Sequence, residues 1–219
     1  MISAGNDIVS LAHTDKVRTE RPAFYKRILS PTEIERYEQG YHQSMPLHHY
    51  VWLSWSAKEA AFKFLQRHHP HLVFSPTKFT VINLTPPTEE PSVTVVKELN
   101  DRIFDTDKGY HGRILHDKHT LYFRSFSSQE VIHTLVSNDQ SFNNIRWGLL
   151  LTDDDSPAGL SAAVREAATE RLHTLYGQSA VITKDERGIP LISSSGIDST
   201  EPISLSHHGQ YVGYVFNNR

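Results

Sequence analysis

The chain has 219 residues, 38% of them hydrophobic and 21% charged, with a net charge of −3 and no cysteine. That is enough apolar material for one large or two small domains with a real core, and it excludes an intrinsically disordered chain. It also excludes disulfides, thiolate nucleophiles and sulfur metal sites, and it leaves no overall electrostatic footprint for nucleic acid or an anionic membrane.

The first residues, MISAGNDIVSL, lack the basic segment and apolar run of a secretory signal. The most apolar stretch, 147–151, is far shorter than the ~20 residues a membrane span needs. A cytoplasmic protein is the expectation. Gly5-Asn6-Asp7-Ile8 leads into a strand over 8–11, and Lys16, Arg18, Arg21, Lys26 and Arg27 then make a basic stretch. A short helix is expected over 31–37. A stronger one runs from Trp55 to about Gln66, with Ala57, Ala60, Ala61, Phe64 and Leu65 on its apolar side. His68, His69 and His71 follow it; they match no zinc spacing and read as solvated surface residues, as do His48 and His49.

Strands are expected over 79–84, 93–96 and 113–123, separated by a proline-rich surface loop over 85–92. A polar stretch near 137–144 marks a boundary, and another strand spans 145–151. Ser156 as N-cap, Pro157 at the first position, apolar residues at Leu160, Val164, Ala168, Leu172 and Leu175, and Gly177 as the stop predict a second long helix. A strand over 180–183, a hairpin turn over 184–188, a Ser204-Leu205-Ser206-His207 strand and a last strand over 211–216 complete the chain.

The order of elements repeats. Residues 58–65, KEAAFKFL, line up with 165–172, REAATERL, and each helix is followed by strands carrying a Ser-x-Ser pair, at Ser125 and Ser127 and at Ser204 and Ser206. The fold class expected is therefore α+β in two similar halves, 1–140 and 141–219, each an antiparallel sheet packed on a long helix.

Glu59 and Lys63 stand four apart, on the helical face opposite the alanines and Phe64. Taken alone, Ser56-x-x-Glu59 fits a capping box and Glu59–Lys63 a surface salt bridge. Joined by Asp7 from a strand, they suit a magnesium-bound pyrophosphate: magnesium takes one or two carboxylates and completes its octahedron with water and phosphate oxygens. A lysine meets the remaining phosphate charge.

With these residues in view, the chain resembles the 4′-phosphopantetheinyl transferases. Gly5 to Ile8 match a Gly-x-Asp-Ile strand. Arg27-Ile28-Leu29 with Glu33 match an Arg-Ile-Leu segment, Trp55 to Lys63 a Trp-x-x-Lys-Glu-Ala-x-x-Lys helix, and Ser204 to His207 a Ser-x-Ser-His strand. The resemblance implies the family's fold as a fused pseudo-dimer. It implies Asp7 and Glu59 as magnesium ligands, with Glu59 also helping to deprotonate the attacking serine. Lys63 would meet the coenzyme A phosphates with support from Lys58, and Ser206 and His207 would hold the nucleotide end. The reaction implied moves the 4′-phosphopantetheine arm of coenzyme A onto a serine of an apo acyl or peptidyl carrier protein. The partners implied are therefore the carrier and coenzyme A, without nucleic acid or membrane.

Two departures bear on the site. The longer members carry a third acid where Val9 stands, so the metal set here is two carboxylates, as in the shorter members. The family's Gly-Lys-Pro turn is Gly188-Ile189-Pro190, leaving Arg187 as the replacement cation. Glu170 stands where the second half would repeat Lys63, and Ser128 where the first would repeat His207. One composite site in a monomer is therefore expected. The rival from another class is a non-catalytic relative that binds coenzyme A or a carrier protein.

Overall fold

The computed structural model describes residues 4–41, 45–88, 98–100, 108–177, 179–193 and 201–218. In chain order these form β1 (Ala4–Ser10), α1 (Lys16–Thr19), α2 (Pro22–Tyr25), α3 (Pro31–Glu38), α4 (Leu47–Gln66), β2 (Thr80–Thr85), β3 (Glu98–Asn100), β4 (Tyr110–His116), β5 (His119–Ser127), β6 (Val131–Ser137), β7 (Ile145–Leu151), α5 (Pro157–Tyr176), β8 (Val181–Lys184), β9 (Pro190–Ser193), β10 (Glu201–His208) and β11 (Tyr211–Asn217). The strand expected over 93–96 and the end of the proline-rich loop lie outside the described residues.

Among the described residues the strands make two antiparallel sheets, ordered β1-β6-β5-β4-β2 and β3-β7-β11-β10-β9-β8. With β3 set aside, the two orders are the same circuit: a first strand, a long helix, then four strands that return to pair with the first. The helices repeat too. Leu53, Ala57, Ala61 and Leu65 of α4 and Leu160, Val164, Ala168 and Leu172 of α5 form matching buried rows four residues apart. On α4, Ala57, Ala61 and Leu65 of the row meet Val81, Ile114, Leu121 and Phe123 of the first sheet and Phe79 just before β2. On α5 it meets Ile192, Ile203, Val212, Tyr214 and Phe216 of the second. A third cluster, with Ala4, Ile8, Leu135, Trp147, Leu149 and Val215, joins the two halves.

Local chemistry explains where the elements depart from expectation. The strand expected over 113–123 is a hairpin, because Asp117 takes φ 48° and turns the chain between the paired His116 and His119. The helix expected from Trp55 begins eight residues earlier, at Leu47 after Pro46, with Tyr50, Val51, Leu53 and Ser54 buried. Ser56 is therefore mid-helix and caps nothing; its Oγ donates to Asp7 O at 3.3 Å. The capping box belongs to Ser30 and Glu33 at the start of α3. Strand β6 reads as a continuous run without alternation because all seven of its residues are buried, with α4 on one face and the second half on the other. The α5 helix starts and stops as its caps dictate, at Ser156 and at Gly177 with φ 83°. Among the described residues no helix is long and apolar enough to cross a membrane.

Candidate active site between the halves

Strand β1 divides its residues between two partners, as the two-residue period of a strand requires. Gly5, Asp7 and Val9 face α4, while Asn6, Ile8 and Ser10 face the second half. Gly5 permits the approach, since a Cβ there would lie 2.2 Å from Ala60 O. This contact sets Asp7 beside the outer turns of α4.

There Lys63 Nζ lies 2.9 Å from Asp7 Oδ1 and 3.4 Å from Glu59 Oε1. Side-chain exposure grades the trio: 6% for Asp7, but 28% for Glu59 and 26% for Lys63. Burial pushes the Asp7 carboxyl up to about 6; Lys63 opposes the shift and Glu59 adds to it. Burial alone would lower the Lys63 ammonium, but Asp7 and then Glu59 hold it above its ordinary value. Asp7 Oδ2 is buried without a hydrogen-bond partner.

This set fits a hard divalent cation. Two carboxylates converge, one keeps an unused buried oxygen, and an ammonium stands between them where the cation's charge would otherwise act. Among the described residues no three His, Cys, Asp or Glu side chains converge, so a cation held by Asp7 and Glu59 would take its other ligands from water and a bound substrate, as magnesium can. Val9 lies in the apolar cluster with Val51, Leu53 and Ile132, where an acid would be desolvated.

Lys58 is not part of this site. Its side chain is 0% exposed, and its Nζ donates to Glu33 Oε2 at 2.6 Å and to Ile28 O at 2.7 Å. Its place on the helix explains why: four residues after Ser54 and three before Ala61, it falls within the buried arc, whereas Lys63 falls outside it. Glu33 also accepts from Val81 N at 2.8 Å, so the pair ties α3, α4 and β2 together.

Strand β10 brings the second half to β1. Ser204 Oγ accepts from Asn6 N at 3.2 Å and Ser206 Oγ from Asn6 Nδ2 at 2.8 Å. His207 lies on the opposite face of β10 from these serines and is exposed to solvent. Ser206 thus accepts from Asn6 and keeps its hydroxyl proton free to donate to a ligand.

A cleft of about 270 Å³ opens between the last turns of α4 and the second half, lined by Lys63 and Arg67 on one wall and Arg187, Gly188 and Ser204 on the other. Arg67 is fastened by its Nη1 to Ala4 O at 2.9 Å, and burial lowers its pKa to about 10. Arg187 is held to Asp185 at 2.9 Å on the turn that Gly188 makes possible with φ 79°. Three cations thus face one small cleft. Larger hollows of about 610 and 630 Å³ lie by His69 and His119 and by Arg113 and Arg124, and neither is lined by Asp7, Glu59 or Lys63.

Two further neighbours, His133 and His208, carry no signal in the sequence. His133 is fully buried, with Nε2 3.4 Å from Asn6 Nδ2, and burial, followed by Lys63, drives its pKa down to about 3. His208 reaches Ser10 on β1. Each looks unremarkable in the chain because its partners come from more than 120 residues away.

A family model described as the 4′-phosphopantetheinyl transferase superfamily matches residues 3–121, just over half of the chain. No curated protein matches it.

Proposed function

The chain belongs to the 4′-phosphopantetheinyl transferase superfamily, and from that premise we propose that it transfers the 4′-phosphopantetheine arm of coenzyme A to a serine of an apo acyl or peptidyl carrier protein, with magnesium as cofactor. The observation that carries this reading is the trio Asp7, Lys63 and Glu59 beside a cleft that also presents Arg67 and Arg187. Anionic phosphates and a divalent cation are what such a mixture of charges would receive.

Asp7 and Glu59 would hold the magnesium, whose bound charge neutralises the pyrophosphate. Lys63 shifts from its carboxylate partners to the phosphates, with Arg67 and Arg187 on the cleft walls. Glu59, the better exposed carboxylate, accepts the proton of the carrier serine directly or through a water. The serine oxygen bonds to the phosphorus that carries the pantetheine arm, the bridging P–O bond breaks, and adenosine 3′,5′-bisphosphate leaves. Little covalent work falls to the protein; positioning and charge do most of it. His207, exposed near the end of β10, and the Ser206 hydroxyl would hold the nucleotide end.

We take 1–140 and 141–219 as the two halves and the chain as a monomer, since both walls of the cleft come from one chain. The carrier would dock by its acidic surface on Lys16, Arg18, Arg21, Lys26 and Arg27, all exposed around α1 and α2. Release of adenosine 3′,5′-bisphosphate, followed chromatographically, tests the reading. It should require carrier, coenzyme A and magnesium together, and it should stop in Glu59→Gln. Release that persists in a chelator, or in Glu59→Gln at the wild-type rate, would overturn the metal assignment.

A further inference from the structure

Among the described residues strand β1 ends the first sheet, and the N–H groups on its outer edge pair with no strand there. The second half closes that edge with side chains. Ser204, Ser206 and His208 alternate along one face of β10: Ser204 takes the N–H of Asn6, Ser206 its side-chain amide, and His208 Nδ1 the N–H of Ser10 at 3.2 Å. The serines sit mid-strand, whereas His208 is the last residue of β10.

The contact is built from both sides. Ser10 is 1% exposed, and its Oγ lies 2.9 Å from His13 Nδ1. The His13 and His208 rings are 6.1 Å apart. Gly209, which turns β10 into β11 at φ 59°, packs so closely that a Cβ would lie 2.6 Å from His13 Nδ1 and 3.0 Å from Ser10 Cβ. An imidazole that accepts at Nδ1 is neutral and carries its proton on Nε2. Ser10 stands three residues after Asp7 on the same strand, and β10 carries Ser204 on the far wall of the cleft. The His208–Ser10 bond adds a third tie, beside those of Ser204 and Ser206 to Asn6, between the strand that bears Asp7 and the wall that faces it.

We propose that His208 is a positioning residue for coenzyme A, acting by accepting the Ser10 amide proton and so holding the second half in register with β1. The proposal rests on the transferase reading above. It separates two effects: Asp7, Glu59 and Lys63 all belong to the first half and stay with the reacting phosphate, whereas loosening the latch draws Arg187 and Ser204 of the second half away from bound coenzyme A.

Three proteins test it: wild type, His208→Leu, and His208→Asn, whose Oδ1 sits where Nδ1 sits and keeps the acceptor. In His208→Leu, KM for coenzyme A should rise about tenfold, the size of one lost hydrogen bond to a buried donor, with kcat at saturation little changed. His208→Asn should return KM to within about threefold of wild type by the same measure. Amide exchange at Ser10, read by NMR without coenzyme A, should be faster in His208→Leu and restored in His208→Asn. A fall in kcat at unchanged KM, or no rescue by Asn, would overturn the positioning role. The exchange arm stands apart from catalysis. A faster Ser10 amide in His208→Leu supports the latch even where transfer fails, and an unchanged one overturns it even where transfer succeeds.

Discussion

Lys58 and Lys63 lie five positions apart on α4 and meet opposite environments. Lys63 stands at the cleft between two carboxylates, whereas Lys58 is enclosed with Glu33. Burial lowers the Lys58 ammonium, and only Glu33 holds it up. Truncating one member of a buried ion pair leaves the other desolvated and alone. Lys58→Ala should therefore cost about 3–5 kcal/mol of stability in a denaturant titration, with coenzyme A affinity per folded molecule unchanged. Wild-type stability with weakened coenzyme A binding would return Lys58 to the site. The sequence held the clue, a lysine inside the apolar arc of a helix, but the motif's letters drew both lysines toward one role. Asp7, Glu59 and Lys63 were legible because spacing puts Glu59 and Lys63 on one helical face and the resemblance to the family's motifs joins Asp7 to them. His133 and His208 were not, since contacts across more than 120 residues leave no periodic trace.

At the scale of elements, the site depends on how closely β1 lies on α4. A methyl group at Gly5 would strike the backbone oxygen of Ala60, which cannot rotate away. Gly5→Ala should lose about 1–3 kcal/mol by forcing the helix outward, and transfer should fall with it, as Asp7 and Lys63 are carried apart. Thermal melting and a rate assay on the same preparation check this; an unchanged melting temperature would contradict it. The helix α5 was readable to the residue because cap, proline and glycine all agree. The start of α4 was not, because Pro46 supplies no side-chain cap and His48 and His49 interrupt the apolar pattern. Strand β6 escaped for the converse reason: a strand covered on both faces has no alternation to read.

For the whole molecule, the repeated circuit of strands explains how one chain supplies both walls of a cleft, and why only one cleft is equipped. Glu166 and Glu170 of α5 align with Glu59 and Lys63, so the second half offers two acids where the first has an acid and a base. Two histidines give the molecule a pH signature: His133 is buried, and His49, expected to be solvated at the surface, is half-buried with its Nε2 2.7 Å from Ser127 Oγ. Burial lowers His133 to about 3 and His49 to about 4, from an ordinary 6.5. Between those values the unfolded chain holds the proton more tightly, so stability is full above about 6.5 and falls on acidification. Asp7, raised from 3.8 to about 6, works in the opposite direction over that interval. Each group contributes at most ~1.4 kcal/mol per pH unit, and two histidines outweigh one carboxyl. Melting temperature measured from pH 7 to 4 in chelator should fall, and less steeply in His133→Leu. A flat profile, or an equal slope in that variant, would remove His133 from the account.

The proposed transfer of the pantetheine arm through Asp7, Glu59 and Lys63 is read in the intact mass of an apo carrier protein. After incubation with coenzyme A, magnesium and the wild-type chain, the carrier should gain the mass of one 4′-phosphopantetheine on its serine. With Asp7→Asn, folded to the same extent by circular dichroism, it should gain none. A carrier left unmodified by the wild type, or modified equally by Asp7→Asn, would contradict the account.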